Sequence, residues 1–66
     1  MRDVGTVHFS DMDSNDEGIA VIRAAPKLIA LALSLRKDGD IGVAMTPQDC
    51  RVLIDTLTRA VLLAES

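Results

Sequence analysis

Two runs of alternating large and small apolar residues flank the tetrapeptide KDGD, residues 37–40. Before it stands LIALALSL, residues 28–35, and after it IGVAM, residues 41–45. Ala, Leu and Lys are strong helix formers. Pro26 is suited to open a helix and Gly39 to close one. The spacing decides against that reading. Ile29, Leu31, Leu33 and Leu35 recur every second residue, with Ala30, Ala32 and Ser34 between them. A helix would scatter the four large side chains around its circumference, whereas a strand aligns them on one face. Asp-Gly between two such runs is a strong hairpin signal, because the tight turn needs positive φ. The two runs are therefore expected to form a hairpin that shares one face of Ile29, Leu31, Leu33, Leu35, Ile41, Val43 and Met45.

Upstream, VGTVHF (4–9) alternates with Val7 and Phe9 on one side and Thr6 and His8 on the other, as a strand does. SDMDSNDEG (10–18) is a dense cluster of loop formers. IAVIRA (19–24) is rich in β-branched residues and reads as a second strand. Pro26 lacks a backbone donor, which fits an edge, a bulge or the break between two strands. Downstream, Thr46 is an N-cap candidate, Pro47 suits the first helical position, and Asp49 complements the positive end of the helix dipole. A helix is expected from Pro47 to about Ala64. Cys50, Leu53, Ile54, Leu57, Ala60, Val61 and Ala64 form its apolar stripe, expected to pack on the sheet. Asp55 precedes Arg59 by four residues, the favourable order for an ion pair. The expected fold is one small α+β domain over 1–66: an antiparallel sheet of three to four strands in ββββα order, with the C-terminal helix packed on one face.

A chain of 66 residues buries only roughly 60% of the surface its unfolded form exposes. Disulfides, metals and self-association are the usual supplements. Cys50 is the only cysteine, and Cys50 with the single His8 cannot supply four protein ligands to a structural zinc. Self-association is left. Val52, Thr56, Arg59 and Leu63, with Leu62, lie off the stripe and bring apolar bulk to the outer helix face. These five residues are the expected homodimer interface, with sheet edges as another route.

Phe9 is the only aromatic residue and the formal net charge is −3. Both features argue against a nucleic-acid partner. Arg23, Lys27, Arg36 and Lys37 are candidates for a small basic patch. The N-terminus has no apolar core segment of the signal-peptide type, and no apolar run is long enough to span a membrane. With an unpartnered cysteine, this sets the expectation of a cytoplasmic protein without a membrane partner.

The acids cluster near the N-terminus. Asp11, Asp13, Asp16 and Glu17 form an acidic loop, expected to be solvated and to offer a surface to a basic protein partner. DMDSND resembles the start of a calcium loop, but Asp16 stands where glycine is needed and Ile22 where the bidentate glutamate belongs. No metal and no other cofactor are expected. His8 is read as a strand residue and Cys50 as a small hydrophobe in the first helical turn. A serine–histidine–carboxylate arrangement has no supporting motif, and Gly5, Gly18, Gly39 and Gly42 are isolated and form no phosphate loop.

The expectation is a non-enzymatic, homodimeric protein that binds another protein stoichiometrically. In size and style, a short β-rich chain closing with the capped helix TPQDCRVLIDTL is similar to many small bacterial and phage proteins. That similarity implies an inhibitor of host machinery, of which anti-CRISPR proteins are one kind. The alternative is a small-molecule module using the space beside Ala30, Ala32 and Ala44, or a regulatory nucleic-acid binder using the basic strand residues.

Overall fold

The computed structural model describes residues 1–37 and 39–66. Four strands are followed by one helix: β1 (Arg2–Ser10), β2 (Glu17–Ala25), β3 (Leu28–Leu35), β4 (Asp40–Met45) and α1 (Pro47–Glu65). The strands form one antiparallel meander in sequence order, leaving β1 and β4 as the edges. The expected ββββα order of the α+β fold is present. The first two strands are longer than the sequence patterns suggest. The acidic connection shrinks accordingly from 10–18 to the six residues 11–16.

The register confirms the shared face. Leu31 pairs with Ile22 and Val43, Leu33 with Ala20 and Ile41, and Ile29 with Ala24 and Met45. Directly paired residues point the same way, so these side chains form one leucine-rich face, which β1 continues with Val7 and Phe9. The opposite face carries Thr6, His8, Ile19, Val21, Ala30, Ala32, Ser34 and Ala44. A bulge interrupts β1: Asp3 pairs with Arg23 and Gly5 with Ile22, so Val4 is the extra residue.

Pro26 marks the break between β2 and β3. Pro26 and Lys27 are the two residues between paired Ala25 and Leu28, and Lys27 has φ 64°. Proline followed by a left-handed residue is the pattern of a type II turn. Among the described residues the β3–β4 pairing extends to Ser34 with Asp40. Asp38, half of the expected Asp-Gly turn, lies outside the described residues. The Arg36 N–H donates to the Glu17 carbonyl at 2.9 Å, which prolongs the β2–β3 ladder.

The helix begins as its sequence dictates. Thr46 is extended (φ −72°, ψ 159°), and its hydroxyl accepts from the Asp49 N–H at 3.2 Å. Pro47 occupies the first turn beside Asp49. Its expected packing on the sheet is confined to the first two turns. The helix approaches the sheet mainly at β3, and only Cys50 and Leu53 are half-buried. Ile54 (54% exposed), Leu57 (55%) and Val61 (54%), all in the intended core stripe, face outward. Helical periodicity groups residues on a stripe but does not supply the surface that covers it. Among the described residues, Ala20 at 8% exposure is the only buried hydrophobic residue. The Cα trace spans 35 × 32 × 15 Å with a radius of gyration of 13.2 Å. A compact domain of this length has about 11 Å. The helix projects from the sheet more than it lies on it.

Candidate functional site

Three surfaces carry the chemistry the sequence singles out: the acidic connection, the apolar sheet face and the helix.

The acidic connection is a built loop. The Asp11 carboxylate accepts from the Ser14 N–H at 2.9 Å, the Ser14 hydroxyl at 2.9 Å and the Asp13 N–H at 3.2 Å. The Ser14 hydroxyl oxygen also accepts from the Asp16 N–H at 3.2 Å. The Asn15 N–H donates to the Asp11 carbonyl, and the Asp11 N–H to the Asp16 carbonyl. Asn15 takes φ 60°, a conformation asparagine tolerates better than most residues. The Ser14 N–H, then the Ser14 hydroxyl, with a smaller part from the Asp13 N–H, hold the Asp11 carboxyl below its ordinary value against a slight desolvation.

Three of the four loop acids are thus engaged within the chain. Asp11 organises its own loop. Asp16 accepts from the Lys37 N–H at 2.9 Å, and Glu17 pairs with Arg36 at 3.4 Å. Asp13 is exposed. The loop is therefore tied to the end of β3, a tie between segments about twenty residues apart that no local pattern in the sequence announces. Among the described residues, no group of three or more His, Cys, Asp or Glu is placed to hold a metal ion.

The four basic candidates do not come together. Lys27 sits at the β2–β3 turn, whereas Arg36 and Lys37 lie beyond the other end of β3. An eight-residue strand separates them, roughly 27 Å of extended chain. Arg23 is held by Asp3 on β1 at 2.8 Å, and Arg36 by Glu17. The sequence already contained this separation, since strand length converts directly to distance.

The small residues Ala30, Ala32 and Ala44 share the face opposite the leucines. A shallow, open depression lies instead at the loop end of the sheet, around Phe9, Gly18 and Leu35. His8 is exposed on β1 beside Ile19, and Cys50 is a free, half-buried thiol.

On the helix, Val52, Thr56, Arg59, Leu62 and Leu63 are exposed. Thr56 donates its hydroxyl to the Val52 carbonyl at 2.8 Å. Asp55 and Arg59 are not among the ion pairs of the described residues, which are Arg23–Asp3 and Arg36–Glu17. The five expected interface residues share their exposure with the stripe itself. The signal missed in the sequence is the connection between β4 and α1: Thr46 alone joins them, which leaves no loop to fold the helix back. Among the described residues, no helix is long and apolar enough to cross a membrane. No family model, curated protein or solved structure matches the chain.

Proposed function

We propose that this chain is a non-enzymatic interaction protein that pairs with itself and binds another protein stoichiometrically through the loop end of its sheet. The observation that carries the reading is the apolar surface left uncovered. Ile41, Val43, Ile54, Leu57, Val61, Leu62 and Leu63 are all exposed in a single chain. Exposed apolar residues in this number support an interaction surface. The acidic loop supports the second half of the proposal. Its internal hydrogen bonds fix the backbone, so a partner's basic group meets Asp13 on a preorganised frame and little ordering entropy is lost on binding.

Affinity capture with the wild type and with a D13K/E17K variant tests the partner surface. A protein retained in one-to-one ratio by the wild type and lost by the variant is the expected result. An identical retained set for both chains would sink the loop as a binding surface. Sedimentation equilibrium of the free protein tests self-pairing, with a dimer mass expected.

A further inference from the structure

Resting on the self-pairing reading above, we infer that the occupant of the uncovered leucine-rich face is the helix of a second copy of this chain, so that two protomers exchange helices across their sheets. Three observations lead there.

The first is area. The chain exposes 5537 Å² at a mass of 7.1 kDa. A compact monomer of that mass exposes about 4,100 Å². Two copies merged into one compact body would expose about 6,800 Å² by the same scaling and so remove roughly 4,300 Å². That falls in the range of obligate homodimers, about 2,000–5,000 Å².

The second is complementarity within one sequence. The sheet offers a face built on Leu31, Leu33 and Val43, and the helix offers the stripe of Leu53, Leu57 and Val61. Each lacks a cover. One two-fold rotation buries both at once, because what the first protomer presents the second receives. The 19-residue helix is about 28 Å long, against about 14 Å between the outer strands of a four-stranded sheet. It is long enough to cross a neighbouring sheet completely.

The third is the connection. Thr46 is the sole residue between β4 and α1 and also caps the helix through its hydroxyl. Bringing more of the helix onto its own sheet would require a change of backbone at this single residue, which also makes the cap. Docking on a second copy keeps both.

The test uses the full, unmodified chain. A 1:1 mixture of ¹³C-labelled and unlabelled protein is unfolded, refolded together and examined by isotope-filtered NMR, after sedimentation equilibrium at the same concentration. The expected result is a dimer with inter-chain contacts between Leu57 or Val61 methyls and Leu31 or Leu33 methyls. A dimer whose inter-chain contacts are helix to helix only, or strand edge to strand edge, overturns the exchange and leaves self-pairing standing. A monomer at NMR concentration overturns self-pairing and the exchange together.

Discussion

The ring of Phe9 lies over Gly18, its direct cross-strand partner: a Cβ at position 18 would meet the Cε1 and Cζ of Phe9 at 2.5 Å and the Cδ2 of Leu35 at 3.0 Å. The only aromatic side chain of the protein thus covers a glycine in the neighbouring strand, where the absent side chain makes room for it. Gly18→Ala is expected to cost about 1–2 kcal/mol, since the ring and Leu35 must move. In a Phe9→Ala background the same change is expected to cost little. Urea unfolding of the two single variants and the double variant measures the coupling. Additive losses would show that the contact carries no specific energy.

The strands and the helix start were legible because their signals are local. Alternation around Leu31 and Val43 sets the face, and Thr46, Pro47 and Asp49 set the helix start. The leucine face itself was readable residue by residue. What covers it was not. A stripe such as Leu53, Leu57 and Val61 states that burial is required and is silent about which molecule supplies it. The ties from Asp16 and Glu17 to the end of β3 were also illegible, because they join segments distant in sequence through a backbone N–H and one exposed ion pair.

Lys27 pays a conformational penalty at φ 64°. Left-handed backbone costs a side-chain-bearing residue about 1–2 kcal/mol, and asparagine adopts it more readily. Lys27→Asn is expected to raise stability by about 0.5 kcal/mol and Lys27→Val to lower it by about 1 kcal/mol, valine being β-branched. Thermal melts at one protein concentration read the difference directly. A stabilised valine variant would contradict the turn geometry.

Removing the helix cap is expected to cost about 1 kcal/mol in Thr46→Ala, while Thr46→Ser retains most of the stability. The Asp49 N–H loses its partner in the first variant and keeps one in the second. Far-UV circular dichroism during melting is the readout. Equal stability of the alanine and serine variants would mean that the hydroxyl contributes nothing.

The acidic loop is expected to loosen in acid through Asp11. Its folded carboxyl titrates below the ordinary range because the Ser14 N–H and hydroxyl favour the charged form. A depressed folded pKa gives a contribution that is complete above the unfolded value of about 3.9 and is lost as pH falls through the folded one. The Ser14 and Asp13 amide resonances should therefore move together below about pH 4. In Asp11→Asn that shared transition should vanish, whereas a transition that persists would assign it to another acid.

Adjacent residues on β4 separate the two faces of the sheet. Val43 pairs with Leu31 on the leucine-rich face, and Ala44 pairs with Ala30 on the other. Both are exposed in the single chain. For an isolated protomer either position is a surface site, where substitutions usually change stability by less than about 0.5 kcal/mol. If a partner's helix covers the leucine-rich face, Val43→Glu places a carboxylate under it and Ala44→Glu does not. The dimer is then expected to weaken by about 2–3 kcal/mol in the first variant, a rise in Kd of roughly thirty- to a hundred-and-fiftyfold, and to stay near wild type in the second. Sedimentation equilibrium over a concentration series gives both constants. Equal weakening by the two variants would place the contact at the β4 edge, where both side chains are neighbours, and greater weakening by Ala44→Glu would put it on the opposite face.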